Sequence, residues 1–152
     1  MNYEFKLIIK NQDGSEYVKI GDILECPGGD EEKKLLTNVE VHMDTVDENV
    51  KQRANAILAR VKIVGNLDKI LAERAKKIFD WAINYNDDAW YKDVEIEMST
   101  SATVSVPIRT YIIPNMFVVD YKETYNAEGE SSHFELYLTQ KDGNMQKIKN
   151  FN

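Results

Sequence analysis

Few residues in this sequence are of the types that carry out catalysis. Its two histidines, His42 and His133, could exchange protons near neutral pH, and its one cysteine, Cys26, could supply a thiolate nucleophile. His42 lies on the polar side of an alternating pattern, His133 lies beside a turn, and Cys26 stands at the end of a predicted strand. We therefore predict two surface histidines, a small packed cysteine and no catalytic residue.

Acidic residues are numerous, and three groups of them could bind or act on a ligand. Glu95 and Glu97 would project from one face of a strand about 7 Å apart, and glycosidases use carboxylate pairs at comparable separations. The run Asp30–Glu32 and the acids of residues 44–48 could hold Ca²⁺, although neither has EF-hand spacing. Exposed strand faces and solvated loops are the more common setting for such acids. Because no CxxC, HExxH or glycine-rich phosphate motif is present, we predict no metal and no cofactor.

Three aromatic residues near the end of a predicted helix allow two interpretations. Trp81, Trp90 and Tyr91 could form a platform for a carbohydrate, or they could pack where the helix meets a sheet. Large aromatic side chains dominate core contacts, so the second interpretation is favoured.

Composition narrows the class of protein. The chain has 152 residues, 43% of them hydrophobic, and we assign residues 1–152 to one domain, since the length is typical of one. Its net charge is −7, whereas nucleic-acid binding requires a basic surface, so that role is not expected as a primary one. No apolar run reaches about 18 residues, and the first residues lack the layout of a signal peptide. We expect a soluble protein that is cytoplasmic at synthesis and does not insert into membranes.

Strand patterns dominate the chain. Apolar and polar residues alternate from Tyr3 to Lys10, for example, with the period of two that a half-buried strand requires. Pro114-Asn115 is predicted to break the chain between two strands, and the polar segments Pro27–Lys34 and Thr45–Ala54 are predicted to be exposed loops. A second strand is predicted at 16–20 and continues at 23–25, and further strands are predicted at 39–44, 57–63, 94–98, 102–108, 117–121, 134–138 and 145–151.

One helix is predicted among these strands. Apolar residues recur at spacings of three and four from Leu67 to Ala82, with Asn66 or Asp68 as the N-terminal cap. The turn-forming run Asn84–Asp88 ends it. About eight or nine short strands, with turns roughly every 8–12 residues, indicate a mainly β fold. We predict an antiparallel β-sandwich or barrel of about eight strands with one flanking α-helix.

Several residue runs occur in an order that matches a known family. A strand at Val39–Asp44 leads into the loop Thr45–Ala54, which carries Lys51-Gln52-Arg53, and the run Gly65–Lys69 then opens the helix with Leu-Asp-Lys. Over about residues 36–145 this order resembles the tube-forming proteins of contractile injection machines, which are phage tail-tube proteins and the Hcp-type tubes of type VI secretion systems. The acidic loop within Gly21–Leu36 departs from the family's shorter first hairpin. The strand segments that follow the family's order are Trp90–Ser99, Thr103–Ile113, Met116–Tyr125 and Phe134–Gln140.

The resemblance implies a structural protein with a tail-tube-like fold and no catalytic residues. Copies would continue their sheets edge to edge into a ring of six, and rings would stack into the hollow tube of a phage-tail-like contractile injection apparatus. The implied partners are further copies of the chain and sheath or baseplate proteins, assembled together into a phage-like or injection particle. As the contact between stacked rings, we hypothesise that Lys51 and Arg53 meet the acids Asp30, Glu31 and Glu32.

A second interpretation stays open. A β domain without a recognisable catalytic site could be a non-enzymatic binding or adaptor module of a phage-like or cell-surface assembly. Such a module would stay monomeric or dimeric and present one exposed apolar or aromatic patch. A tube protein would instead form rings as its concentration rises.

Overall fold

Eight strands, one α-helix and two short 3₁₀ helices make up the described part of the chain. The computed structural model describes residues 3–22, 25–26, 29–45, 57–68, 72–85, 88–100, 107–141 and 148–151. The α-helix, α1, spans Ala72–Ile83, and the 3₁₀ helices span Gly29–Lys34 and Asp88–Trp90. The strands are β1 (Tyr3–Lys10), β2 (Glu16–Ile20), β3 (Leu36–Thr45), β4 (Ile57–Asn66), β5 (Lys92–Thr100), β6 (Arg109–Thr124), β7 (His133–Gln140) and β8 (Lys149–Phe151).

The described strands form one antiparallel sheet with the order β2-β1-β5-β6-β7-β4-β3, and β8 pairs with the first part of β6. The first half of β6 pairs with β5 as far as Met116, and its second half pairs with β7 from Met116 to Thr124. The sheet therefore has two parts that share β6, namely β2-β1-β5-β6 and β6-β7-β4-β3. The predicted fold class, mainly β and antiparallel with one flanking helix, is confirmed.

The two parts of the sheet meet at a bend inside β6. Asn115 has a φ of 56°, in the left-handed region that asparagine tolerates, and the register with β5 shifts beside it. Side chains supply hydrogen bonds at the bend: Asp93 Oδ1 accepts the Asn115 N–H at 3.0 Å, and Gln12 Nε2 donates to Asn115 Oδ1 at 2.8 Å. The break predicted at Pro114-Asn115 is therefore wrong, because the strand continues through an irregularity.

One apolar core lies between the sheet and α1. Alternate strand residues point into it, as Leu7 and Ile9 do on β1, and both of these side chains are completely buried. α1 contributes Ile78 and Trp81, which are also buried and lie three positions apart on one face of the helix. The other strands contribute mainly Val18, Ile20, Ala59, Val61, Ile63, Val94, Ile96, Ile113, Met116, Val118, Phe134, Leu136 and Leu138.

The aromatic residues around the end of α1 pack against the sheet. Trp81 Nε1 donates to the Trp90 carbonyl at 2.5 Å, which satisfies the one polar atom of a buried indole. The ring centroid of Phe117 on β6 lies 4.7 Å from that of Trp90 and 5.8 Å from that of Tyr91. The packing interpretation of Trp81, Trp90 and Tyr91 is confirmed.

The predicted entry of α1 is described only in part, because residues 69–71 lie outside the described residues. The helix as described begins at Ala72, and the two predicted caps bind elsewhere: Asn66 Oδ1 accepts the Asp68 N–H at 2.9 Å, and Asp68 Oδ2 accepts the Ser132 N–H at 3.0 Å. These bonds join the end of β4 to the hairpin before β7. The predicted strand residues 23–24, 102–106 and 145–147, and the predicted loop residues 46–54, lie outside the described residues.

Within the acidic segment Pro27–Lys34, the described residues 29–34 are not the exposed loop that the composition predicts. Residues Gly29–Lys34 form a 3₁₀ helix, and Glu32 on that helix has no exposed surface. Leu35, which follows, is buried in the core. The prediction fails because Glu32 has a cationic partner on α1, and local composition cannot reveal a partner distant in the chain.

Candidate assembly edges

The main path of paired strands ends at β2 and β3, and the edge of β3 is open among the described residues. The Asn66 N–H donates to the Leu35 carbonyl at 2.7 Å, which fixes the direction of the backbone groups along β4. Because these groups alternate in direction along an antiparallel strand, the register leaves the N–H and C=O groups of Val39, Val41 and Met43 pointing away from β4. None of them has a hydrogen-bond partner among the described residues. Such an edge can pair with a strand of another chain.

The opposite edge, β2, is closed by side chains of α1. Lys77 Nζ donates to the Tyr17 carbonyl at 3.2 Å, and Arg74 Nη1 donates to the Lys19 carbonyl at 3.0 Å. The Tyr17 hydroxyl in turn donates to the Lys77 carbonyl at 2.6 Å. These bonds occupy β2 carbonyls that point away from β1, so α1 lies where a further strand would have to add.

A buried ion pair holds this closure in place. Glu32 is completely buried, and the Arg74 side chain is 11% exposed. Arg74 Nη2 lies 2.7 Å from Glu32 Oε1, and Nη1 lies 3.0 Å from Oε2, so the two planar groups meet through two hydrogen bonds. The Gly21 N–H also donates to Glu32 Oε2 at 3.0 Å. One carboxylate thus joins the 3₁₀ helix to α1 and to the residue that follows β2.

The residues predicted to join stacked rings are found in different settings. Glu32 is interior and paired within the chain, so its carboxylate does not lie on the surface as the sequence predicts. Glu31 is exposed. The side chain of Asp30, and Lys51 and Arg53 entirely, lie outside the described residues. The contact itself stays a prediction.

Lysines of β1 neutralise the glutamate pair on β5. Lys6 Nζ lies 2.8 Å from Glu97 Oε2, and Lys10 Nζ lies 3.0 Å from Glu95 Oε1. Each carboxylate therefore faces its own lysine on the neighbouring strand, as cross-strand ion pairs do on the outer face of a sheet. This arrangement matches the exposed strand face that the sequence favours.

A groove of about 730 Å³ crosses the other part of the sheet, over β3, β4, β7 and β6. His42 and Lys62 line it, beside Val119, which is 59% exposed. Lys62 Nζ lies 3.8 Å from a carboxylate oxygen of Glu40 and 3.8 Å from one of Glu135. A positive charge on β4 therefore lies between negative charges on β3 and β7. Because β3 lines the groove and also carries the open edge, the two features form one continuous surface.

The histidines and the cysteine lie apart from one another in the fold. His42 is exposed on β3, as predicted, and His133 is half-buried at the start of β7. Cys26 is half-buried with its Sγ 3.5 Å from the Lys19 carbonyl, and burial raises the pKa of its thiol, which keeps it protonated near neutral pH. Within the described ranges, no group of three or more His, Cys, Asp or Glu residues is placed to hold a metal ion. No helix there has both the length and the apolar character to cross a membrane.

No pattern in the sequence identifies Arg74 and Lys77 as residues that close an edge of the sheet. They lie three positions apart on α1, beside its apolar stripe, where long basic side chains can lie along neighbouring backbone. Their position beside the apolar stripe is the one feature of the sequence that indicates a contact with the sheet. Their acceptors, Lys19 and Tyr17, are 55 and 60 residues earlier in the chain, and no local pattern links them.

The chain is similar to known proteins in its structure. No protein-family model matches the chain, and no curated protein matches its sequence. A chain of the anti-feeding prophage baseplate is similar with a TM-score of 0.58 at 11% identity, over 100% of this chain and 95% of that one. Hcp1 from Flavobacterium johnsoniae gives a TM-score of 0.56 at 12% identity, over 98% of each chain. A chain of the PVC sheath-tube complex, an extracellular contractile injection system, gives 0.53 at 14% identity, over 96% and 88%.

These likenesses extend over almost the whole chain at identities of 11%, 12% and 14%. The chain therefore has the fold of Hcp-type tube proteins and of components of contractile injection systems. The resemblance that the sequence predicts is confirmed at the level of the fold.

Proposed function

We propose that this chain is the structural subunit of a tube. Six copies assemble into a ring, and rings stack into the hollow tube of a phage-tail-like contractile injection apparatus. The observation that carries the proposal is the fold shared with Hcp1 from Flavobacterium johnsoniae over 98% of each chain. The role is mechanical and non-enzymatic, and residues 1–152 act as one domain.

Ring closure requires two edges that fit each other. The open edge of β3 is one. Beyond Met116, β6 has a strand partner on one side only among the described residues, because the pairing with β5 ends there and that with β7 continues. β3 and the second half of β6 therefore bound the four-stranded part of the sheet, β6-β7-β4-β3.

The strand directions support a contact between these two edges. In four antiparallel strands the first and the last run in opposite directions. A copy related by rotation about an axis along the strands would thus place its β6 antiparallel to β3 of the copy before it. Such a head-to-tail contact yields a ring when the rotation closes and a filament when it does not.

The closed edge of β2 supports the same assignment. Lys77 and Arg74 already donate to the carbonyls of that strand, so strand addition at β2 is hindered and the β6-β7-β4-β3 part is favoured. A subunit with one restricted route of growth forms a defined ring more readily than one with two free edges.

Stacked rings would contact each other through the segment 45–54. Lys51 and Arg53 of one ring would meet Glu31 and Asp30 of the next, and the opposite charges motivate that contact. Glu32 has no part in it, because its carboxylate is buried against α1.

The proposed partners beyond further copies of the chain are sheath or baseplate proteins. The likeness to a chain of a sheath-tube complex and to a chain of a baseplate supports this assignment. The chain would be made in the cytoplasm and then assembled into a phage-like or injection particle.

Light scattering over about a hundredfold range of concentration, with negative-stain images of the same fractions, tests the proposal. We expect the mass to rise to a fixed multiple of the subunit and the images to show annular particles of one diameter, some of them stacked. A mass that stays that of one subunit across the whole range, with no annular particles, would contradict it.

The likeness to a baseplate chain favours a second candidate, a non-enzymatic adaptor module within such an assembly. An adaptor would stay monomeric or dimeric at every concentration. Stacked particles in the same images would therefore exclude the adaptor and favour the tube subunit.

A further inference from the structure

A row of charges with alternating sign crosses the face of the β6-β7-β4-β3 part that points away from the core. Nζ of Lys62 on β4 lies 3.8 Å from a carboxylate oxygen of Glu40 on β3 and 3.8 Å from one of Glu135 on β7. Nζ of Lys122 on β6 lies 3.8 Å from the other carboxylate oxygen of Glu135. The row therefore begins with a carboxylate on one edge of this part and ends with an ammonium group on the other.

The two ends of this row lie at the surface. The side chain of Glu40 is 61% exposed, and that of Lys122 is 65% exposed. Three spacings between strands, about 14 Å in all, separate β3 from β6 within one chain, so these two side chains do not meet there. A second copy with its β6 beside β3 would bring the two ends together and continue the row into the next chain.

Backbone geometry limits how two such edges can pair. The N–H and C=O groups of Val39 and Val41 point away from β4, and the same alternation, followed through β4 and β7, directs those of Tyr121 and Glu123 away from β7. Two registers that match these groups also pair residues 117–124 with β3 along their full length. In the level register Tyr121 is opposite Val39, and in the staggered register it is opposite Val41. A slip of one residue would turn the charged side chains to the other face.

Side-chain charges favour the staggered register. In the level register Glu40 would face Asp120 of the next copy, and like charges directly opposite each other destabilise a strand pair. In the staggered register Glu40 faces Lys122 instead. Asp120 then faces His42, which lies opposite Arg60 on β4. A stagger also suits closure, because strands that close into a barrel are displaced along one another.

Asp120 covers part of the β6 edge in the free chain. Its Oδ1 accepts the Tyr121 N–H at 3.0 Å, a group that a neighbouring strand would need. The carboxylate has to release this N–H when another copy pairs with β6. In the staggered register it lies beside the imidazole of His42 and the guanidinium of Arg60, and both can donate hydrogen bonds to it.

We propose that copies of this chain pair in the staggered register, with Lys122 of one copy bound to Glu40 of the next. Asp120 moves from the Tyr121 N–H to His42 of that copy as the contact forms. The inference rests on the proposed function and names the side chains that select the second copy and its register. Each ring would then carry an unbroken circle of alternating charges.

An exchange of charge tests the pair. Glu40→Lys and Lys122→Glu, made in separate chains, each place like charges across the contact, so the concentration of half-assembly in light scattering should rise at least about tenfold. In an equal mixture the unlike edges of the two variants face each other. Alternation of the two chains round a ring of six should return this concentration to within about threefold of wild type.

The matched control uses exposed charges on α1. Glu73→Lys and Lys76→Glu make the same two changes of charge outside the proposed contact. Alone and mixed, these variants should assemble as the wild type does. Recovery of the target pair on mixing also shows that each variant is folded, since an unfolded chain could not re-enter a ring.

Cysteine pairs distinguish the two registers. In a Cys26→Ala background, a chain with Glu40→Cys is mixed with a chain with Lys122→Cys and oxidised. Residues directly opposite in a pair of this kind have Cα atoms about 4.5 Å apart, within the range of a disulfide, so we expect a covalent dimer. The pair Asn38→Cys with Lys122→Cys, which is diagonal in the staggered register and directly opposite in the level one, should not link.

Linkage through Asn38→Cys in place of Glu40→Cys would overturn the staggered register. Equal assembly of the mixture and of each charge variant alone would overturn the pairing of Lys122 with Glu40. If wild-type rings form while either result is obtained, this inference fails and the ring stands. If the wild type forms no rings, the proposed function fails, and the inference fails with it.

Discussion

Glu32 and Arg74 stand 42 residues apart in the chain and meet in the interior through two hydrogen bonds, at 2.7 Å and 3.0 Å. The same guanidinium donates to the Lys19 carbonyl, and the same carboxylate accepts the Gly21 N–H. One ion pair therefore closes an edge of the sheet and fixes α1 beside it. Among the described residues, β3 and the second half of β6 then bound the four-stranded part of the sheet that the proposed ring would extend.

Breaking this ion pair should destabilise the fold strongly. Arg74→Met leaves the carboxylate of Glu32 buried without its cation, and we expect the free energy of unfolding to fall by about 3–5 kcal/mol. Urea denaturation measures this loss. The double variant Glu32→Gln with Arg74→Met should lose less than the sum of the two single losses, because no charge is then left unpaired.

The exposed pair of Lys76 and Asp80 on α1 is the control for that experiment. Its Nζ and Oδ2 atoms are 3.0 Å apart, but the Lys76 side chain is 76% exposed. Lys76→Met should therefore change the free energy of unfolding by less than about 0.5 kcal/mol. A similar loss from Arg74→Met and Lys76→Met would show that burial of the Glu32 pair has no special effect.

Gly65→Ala should clash with the ring of Phe134. A Cβ at position 65 would overlap Cε1 and Cζ of that ring, so one side chain must move from its packed position. We expect a loss of about 1–3 kcal/mol in the free energy of unfolding. In the background Phe134→Leu, the same substitution should cost clearly less.

Gly14→Ala provides the matched comparison. Gly14 has a φ of 90°, and no atom lies within 4 Å of the place that a Cβ would occupy, so alanine there meets backbone strain without a clash. Its cost, about 1 kcal/mol, should be the same with Phe134 or Leu at position 134. If Phe134→Leu relieves both glycine substitutions equally, the ring is not the cause of the loss at Gly65.

The two tyrosines bound to Glu123 should titrate above their usual pH. Burial first, and the hydrogen bond to Glu123 second, raise the pKa of Tyr121, whereas for the exposed Tyr125 the hydrogen bond to Glu123 is the main cause of the raised pKa. Glu123→Gln should therefore lower the pKa of Tyr125 toward its ordinary value and that of Tyr121 less. Resonances of labelled tyrosine rings, followed by NMR, report each hydroxyl separately.

The sign of the resulting pH dependence follows from the direction of these shifts. A neutral hydroxyl whose pKa is higher in the folded than in the unfolded chain stabilises the fold fully below the unfolded pKa, which is about 10. This contribution is lost as the pH rises through the folded value. Stability should therefore fall on the alkaline side, and Glu128→Gln should leave both pKa values unchanged. A lowered pKa of Tyr125 in the wild type would contradict the hydrogen-bond assignment.

Charge reversal in the segment 45–54 should prevent stacking without preventing ring formation. Lys51→Glu with Arg53→Glu replaces the proposed attraction to Glu31 and Asp30 by repulsion, so negative-stain images should show single rings and few stacks. The double variant Lys76→Glu with Lys149→Glu makes the same change of charge at exposed positions on α1 and β8, neither of which takes part in the proposed ring contact. If both variants stack normally, the proposed contact between rings is wrong.

Sequence patterns predicted those parts of the fold whose cause is local. The alternation at Tyr3–Lys10 and Phe134–Leu138 predicted β1 and β7. When one face of a sheet is buried, every second residue of a strand is apolar, so the pattern is visible in neighbouring residues. The bend at Asn115 and the burial of Glu32 were not predictable in this way. Both depend on partners that are distant in sequence. Gln12, for example, binds Asn115 although the two residues are 103 positions apart in the chain.

The candidate assembly surface was predictable only in outline. The resemblance to tube proteins indicated that edges would matter, but it did not indicate which edge is open. That distinction depends on hydrogen bonds from Arg74 and Lys77 on α1 to the carbonyls of Lys19 and Tyr17. These contacts exist only once the helix has packed across the sheet.

The central claim, that copies assemble through the open edge of β3, is tested most directly by the mass of two variants at Met43. The Met43 N–H points away from β4, so Met43→Pro removes a donor needed by a neighbouring chain without removing a bond to β4. Met43→Ala removes the same side chain, 38% exposed, and keeps the donor. Light scattering should show that wild type and Met43→Ala form the same ring mass and that Met43→Pro stays a folded single subunit. Rings of Met43→Pro with the wild-type mass and concentration dependence would contradict the account.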